Sequence, residues 1–229
     1  MNFDQLPECK HCYLRSPLFN VLSESELTDI QLCRLYKNVP KGQHICIQGN
    51  SSEYFIYLLH GLVKVYITDE TKHDHIVCLS KPLDFVGLFG IFHHEVYPFS
   101  ITTVENSTVC MLPKKVIVSL TYKNSHFSVV MLEKISAVAE AMIMQRIKIN
   151  QKNLRGRLAM VLLDFASNYN SNDFELPVSR REIGELIDMT TENIIRIMSE
   201  FRRDGIIAIN GKRITLLNPS LLQKISEKG

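Results

Sequence analysis

Strong charge is the first thing this sequence lacks. With 26 Lys and Arg against 24 Asp and Glu, the formal net charge is only +2. Bulk charge therefore does not mark a nucleic-acid binder, and any basic patch must come from local placement. No apolar run is long enough to span a bilayer, and Met1–Lys10 has no signal-peptide pattern. Both point to the cytoplasm and to no membrane partner. Six cysteines in 229 residues are too sparse for a secreted disulfide scaffold, so reduced thiols are expected, and only Cys9 and Cys12 have ligand-like spacing. A Gly-rich phosphate loop, a GxSxG elbow and an HExxH helix are all missing, which removes the common enzyme signatures.

What is present is organised in three blocks of an α+β chain: 1–122, 123–152 and 153–229. The length allows a sizeable core. Ser23-Glu24-Ser25-Glu26 reads as a capping box that opens a first helix through Leu27, Ile30 and Leu35. From Lys41 to about Leu120, short β-branched and aromatic runs ("HICIQ", "YFIYLL", "LVKVYI", "HIVCL", "SITTV", "STVCML") recur between turn residues. That pattern predicts an antiparallel sandwich or barrel.

A long helix is expected over about Asn124–Asn150. Met131, Ile135, Val138, Met142, Gln145 and Ile149 recur by fours and threes, the spacing of a helix-pairing seam. So long a helix leaves a face without an intrachain partner, which predicts a homodimer.

The third block holds "NLRGRLAMVLLDFASNY", an apolar-rich helix, then the polar, turn-like "NSNDFELP". Ser179 and Glu182 form a second capping box. The helix they open is followed by a turn at Asp188, a residue that tolerates the left-handed region. Thr190 caps the next helix, whose apolar face is Ile194, Ile197, Met198 and Phe201. Asn210-Gly211 then marks a hairpin. Helix, turn, helix and hairpin together predict a winged helix-turn-helix.

The second helix of such a unit enters the major groove with its N-terminal residues foremost. Those are Thr191, Glu192, Ile195 and Arg196. Glu192 can accept from a cytosine amino group, Arg196 can donate twice to guanine, and the two are four apart and able to hold each other. Ser179, Arg180, Thr190, Arg202 and Lys212 are placed for phosphate contacts, as are Arg181, Arg203 and Arg213. The expected partner is a palindromic operator in double-stranded DNA.

Nearly the whole chain resembles the CRP/FNR family of bacterial transcription regulators. "KGQHICIQGNSSEYFIYLLHGLVKVY" resembles the opening of that family's β-roll, and "SRREIGELIDMTTENIIRIMSEFRRDGIIAINGKRITL" its DNA-binding signature. The resemblance implies a roll of the double-stranded β-helix type, a dimer helix and a winged helix-turn-helix. It also implies base contacts at Glu192 and Arg196, variable specificity positions at Thr191 and Ile195, and RNA polymerase as a partner, with loop residues around Asn168–Asp173 as candidate contacts. Members that bind cyclic nucleotides carry Gly-Glu for the ribose and Arg-Ser or Arg-Thr for the phosphate. Here Gly87 is followed by Leu88 and Ser100 is preceded by Phe99. A buried phosphate needs a charge partner, so cAMP and cGMP are not expected. Oxygen-sensing members hold an iron–sulfur cluster on four cysteines; Cys9, Cys12 and Cys110 resemble three, and the remaining position has no counterpart near Ser16-Pro17-Leu18. Haem is a further possibility the resemblance raises, with His73, His75, His93, His94 and Met142 as the available ligand types. A redox-, haem- or NO-responsive regulator therefore stands as the alternative to one with an unidentified effector.

Overall fold

The computed structural model describes residues 8–90 and 92–229. The chain divides into two compact units, with the boundary between Ala141 and Met142.

In the first unit, helix α1 (Glu24–Cys33) opens with the expected capping box, Ser23 and Glu26 each bonding the other's backbone. It stops two residues short of Leu35. Leu35–Val39 is instead a strand, β1, paired antiparallel with β8 (Ser107–Pro113). A distant partner, not local propensity, decides these five residues. The remaining roll strands are β2 (His44–Cys46), β3 (Tyr54–His60), β4 (Val63–Thr68), β5 (Asp74–Ser80), β6 (Asp84–Val86) and β7 (Ser100–Thr103). They form two antiparallel sheets, ordered β1-β8-β3-β6 and β2-β7-β4-β5.

Strand β3 shows why "YFIYLL" reads as an unbroken apolar run. Side chains alternate between sheet faces, and here both faces are covered. Ile56 and Leu58 point into the roll with Val63, Val65, Phe99, Ile101 and Val109. Phe55, Tyr57 and Leu59 point the other way, onto Phe19, Leu27, Ile30, Phe127 and Met131.

After β8 the chain turns into helix α2 (Lys114–Lys123), whereas the sequence pattern continues the strands to about Leu120. Val116, Ile117 and Val118 look like strand residues, yet Ile117 and Leu120 are the buried pair, a helical spacing.

Helix α3 (Ser125–Gln151) is the predicted long helix, and the boundary between the units falls inside it. The expected seam needs correcting. Met131 is 2% exposed within the chain's own core, Ile135 packs on the same cluster, and Ile149 is 3% exposed. Val138 and Met142 are half-buried. The apolar residues left uncovered are Val129, Leu132, Ile143, Met144 and Ile147. Leu132, Ala139 and Ile143 stand one residue on from Met131, Val138 and Met142, so the free face is turned about 100° around the helix.

The second unit contains α4 (Leu154–Tyr169), capped by Asn153, then β9 (Asp173–Glu175), α5 (Arg180–Leu186), α6 (Thr191–Arg203), β10 (Ile207–Asn210), β11 (Arg213–Leu216) and α7 (Pro219–Lys228). The polar "NSNDFELP" holds a strand after all: β9 pairs with β11, so the wing is a sheet of order β10-β11-β9. The hairpin loop sits one residue later than Asn-Gly would place it. Asn210 pairs with Arg213, and Gly211, at φ +61, is the first central residue, as in a type II′ turn. Among the described residues, no helix is long and apolar enough to cross a membrane.

Candidate nucleic-acid interface and effector region

The turn between α5 and α6 is held from both sides. The amides of Ile187 and Met189 both donate to the Gly184 carbonyl, at 3.2 and 2.9 Å. A Cβ on Gly184 would lie 2.4 Å from the Met189 carbonyl oxygen, so only glycine lets the turn fold back this closely. Asp188 takes the left-handed conformation, at φ +53, as its place in the turn predicts. Arg157 of α4 donates to the carbonyls of Ile187 and Asp188 at 3.2 and 3.1 Å, and Arg146 pairs with the Asp188 carboxylate. Gly184 and Arg157 were not singled out from sequence. Gly184 had a signal, a glycine inside a helical pattern; Arg157 had none.

Thr190 caps α6 by accepting the Asn193 amide. The expected apolar residues Ile194, Ile197, Met198 and Phe201 are buried. The opposite face leaves Glu192, Ile195, Arg196, Ser199 and Arg202 exposed, with Thr191 half-buried. Ile195 is 49% exposed, so it is not a core residue. The Glu192 carboxyl is held below the usual carboxylate range, chiefly by its own backbone amide and then by Thr190. It therefore stays an acceptor at neutral pH.

The predicted Glu192–Arg196 pair is not formed. Arg196 turns the other way, to Glu200 at 2.5 Å, with Asn193 Oδ1 at 3.3 Å. Glu200 is also held by Arg155 at 2.8 Å, and Arg155 reaches Asp204 at 3.2 Å while lying over the Phe201 ring. Its own backbone amide and Thr190 hold Glu192 at the start of α6, and Arg196 finds a carboxylate one turn further on. The pair is exposed on the arginine side, and surface ion pairs of this kind are worth less than about 1 kcal/mol.

The phosphate candidates fall around this face. Ser179 is the cap of α5, Arg180 donates to the Gly211 carbonyl at 3.3 Å, and Lys212 is exposed at the wing tip. Arg202 and Arg203 are exposed in the last turn of α6. Arg213 is engaged with Asp173, its Nη2 at 2.6 Å, which favours a structural role in the wing.

In the roll, the place where a nucleotide would need its polar handles is filled with side chains. Leu88 is 3% exposed and Phe99 1%. A Cβ added to Gly87 would meet the Phe99 ring at 2.1 Å, and Ser100 is 3% exposed with its hydroxyl accepting the Gln48 amide at 3.0 Å. Phe99 occupies the space beside Gly87.

The three candidate cysteines, far apart in sequence, do converge. Cys9, Cys12 and Cys110 line one cavity of about 40 Å³ with Arg15, Ser16, Arg34, Tyr36 and Tyr57. Arg34 Nη1 lies 2.9 Å from the Cys9 sulfur and its guanidinium stacks on Tyr36 at 4.6 Å. Burial pushes the Cys110 thiol up to about 12; it also raises Cys9, against the opposing pull of Arg34. A four-thiolate cluster does not fit this site. The lining offers three thiols and no fourth, and among the described residues no group of three His, Cys, Asp or Glu is placed to hold a metal. His93 and His94 are exposed, ring against ring at 4.6 Å, and His75 is bonded to Asp69 at 2.7 Å.

Comparison with known proteins agrees with this architecture. The cyclic nucleotide-binding domain matches residues 36–124, and the Crp-like helix-turn-helix domain matches residues 156–225. The chain belongs to the CRP/FNR family of transcription regulators. It is 25% identical over 211 residues to the fumarate and nitrate reduction regulatory protein of Vibrio cholerae, covering 90% of this chain and 84% of that one. It is 24% identical to the transcriptional activator protein FnrL of Cereibacter sphaeroides, covering 91% of this chain and 87% of that one. A Crp/Fnr-family regulator structure from Eubacterium rectale shares the fold, with a TM-score of 0.78 at 17% identity over 92% of this chain and 98% of that one. FixK2 from Bradyrhizobium japonicum gives 0.70 at 18% identity, over 84% of this chain and 96% of that one.

Proposed function

We propose that this family member is a sequence-specific DNA-binding transcription regulator that works in the cytoplasm as a homodimer. The observation that carries the reading is the exposed face of α6: a left-handed turn and a capped helix present Glu192, Ile195 and Arg196 outward while the opposite face is core. Each dimer reads a palindrome whose half-sites lie about one helical turn apart, ~34 Å along the DNA. Arg180 and Lys212 hold phosphates, and RNA polymerase is the downstream partner. Dimerisation uses the uncovered stripe of α3, Leu132, Ala139, Ile143 and Ile147, in place of the Met131–Ile149 seam.

The roll does not take a cyclic nucleotide. Phe99 fills the site and neither an arginine nor a glutamate stands where the phosphate and ribose would need one. Site selection from random duplexes, followed by binding of the recovered motif with salt varied, tests the DNA reading. A chain that recovers no motif, or binds with no salt dependence, is not a regulator of this kind. Calorimetry with cAMP tests the second claim, and micromolar binding would overturn it. A redox-responsive second reading is favoured by one observation, the convergence of Cys9, Cys12 and Cys110 on a single cavity.

A further inference from the structure

The cysteine cavity has three thiols and no fourth, and two of the three are arranged for chemistry of their own. Cys9 and Cys12 close a single tight turn in which the Cys12 amide donates to the Cys9 carbonyl at 3.4 Å. Three residues of such a turn rise by about 6 Å, and Cys12, the extended residue that ends it, follows directly on the turn. That separation lies inside the Cα range a disulfide bridges, about 4.4–6.8 Å. The two thiols are unequal. Cys9 is buried, its amide donates to Gln31 Oε1 at 2.9 Å, and its sulfur accepts from Arg34 at 2.9 Å. Cys12 is half-buried. Cys110 lies on β8, outside the turn, and is buried.

We propose that Cys9 and Cys12 are an oxidisable dithiol whose substrate class is the hydroperoxides. In the first step the Cys12 sulfur attacks the terminal peroxide oxygen. The O–O bond breaks, Cys12 becomes a sulfenic acid, and the departing oxygen takes up the thiol proton and leaves as water or an alcohol. In the second step the Cys9 sulfur attacks the Cys12 sulfur, the S–O bond breaks, and hydroxide leaves with the Cys9 proton as water. Two thiols give up two electrons and one peroxide bond accepts them. Arg34, already on the Cys9 sulfur, offsets part of the burial that raises this thiol and so favours the thiolate that makes this second attack. A dithiol reductant reverses the bridge by thiol–disulfide exchange. Cys9 shares its hydrophobic cluster with Phe19, Phe127 and Met131, so closing the bridge disturbs packing at the start of α3.

The test uses the full chain, reduced, freed of reductant, and treated with a small excess of hydrogen peroxide. Alkylation then counts thiols and trypsin separates the pair, because Lys10 lies between them. Peptides 1–10 and 11–15 should be recovered joined, with two of the six thiols lost to alkylation and both restored by dithiothreitol. Cys110→Ser should keep the joined peptides. Cys12→Ser should lose them, and so should Cys9→Ser; if the buried Cys9→Ser chain fails to fold, the half-buried Cys12→Ser variant carries the test. Six alkylatable thiols after peroxide, or a bridge that includes Cys110, overturns the proposal. So does anaerobic incubation with ferrous iron and sulfide that loads the wild type with iron which Cys12→Ser cannot hold. No DNA enters these measurements, so their failure leaves the DNA-binding reading untouched.

Discussion

Replacing Leu132 and Ile143 with Glu should dissolve the dimer without unfolding the protomer. In the single chain Leu132 is 63% exposed and Ile143 60%. Fully burying such a side chain is worth about 1.5–3 kcal/mol, so each has about 1–2 kcal/mol still to gain. A two-fold interface counts each residue twice, which brings the gross apolar gain of these two positions to about 4–8 kcal/mol before the entropy of association is subtracted. Losing even 3 kcal/mol of that raises the dimer dissociation constant by roughly a hundredfold. Four carboxylates brought together would add repulsion. Because both positions are exposed, the protomer should melt within the range of an ordinary surface change, about 0.5 kcal/mol. Met131→Ala is the contrasting variant. Its side chain is 2% exposed in the roll-facing core, so it should cost the fold about 2–5 kcal/mol. Sedimentation equilibrium reads the first pair and thermal unfolding the second. A Leu132→Glu, Ile143→Glu chain that stays dimeric at micromolar concentration, while Val138→Glu with Met142→Glu gives monomers, would refute the one-residue shift of the stripe.

Three further outcomes follow from the same geometry. Arg196→Ala and Glu192→Ala should each weaken operator binding on the order of ten- to a hundredfold and relax preference at particular base pairs, read by site selection. Lys212→Ala should weaken all sequences alike and lower the salt slope; identical recovered motifs for wild type and both α6 variants would sink the assignment. Phe99→Ala should cost about 3–5 kcal/mol of stability, because a fully buried ring leaves a cavity, and should still not bind cAMP; a Phe99→Ala chain that melts like wild type would mean the ring does not fill the roll. The fold should also weaken at alkaline pH. Burial pushes the Cys46 and Cys110 thiols from 9.0 up to about 12. The folded state thus favours the neutral thiols, a contribution complete below pH 9 and lost as pH rises from there toward 12. Thermal melts across that window, compared with Cys46→Ala, should show the slope, and a flat profile would count against it.

The DNA-reading unit was legible because its signals are local. Ser179 and Glu182, Asp188, and Thr190 ahead of Ile194, Ile197, Met198 and Phe201 each specify a cap, a left-handed turn or a helix face within a few residues. The loss of the roll's nucleotide handles was legible for a related reason, since Leu88 and Phe99 carry no charge wherever they are put. Tertiary structure decided the rest. α3 is apolar on more than one face, and periodicity alone does not tell which face the chain's own roll will cover; Met131 and Ile149 are taken up inside the protomer. Leu35–Val39 became a strand because β8 lay beside it, and Val116–Val118 became helix because Ile117 and Leu120 had a core to enter. Arg196 took Glu200 instead of Glu192, since a rotamer is chosen by all the carboxylates within reach. The sequence by itself determined that, of six cysteines, Cys9 and Cys12 are three apart. Only the fold brought Cys110 across from β8 and set Arg34 against Cys9, because convergence on one cavity depends on packing between elements far apart in the chain.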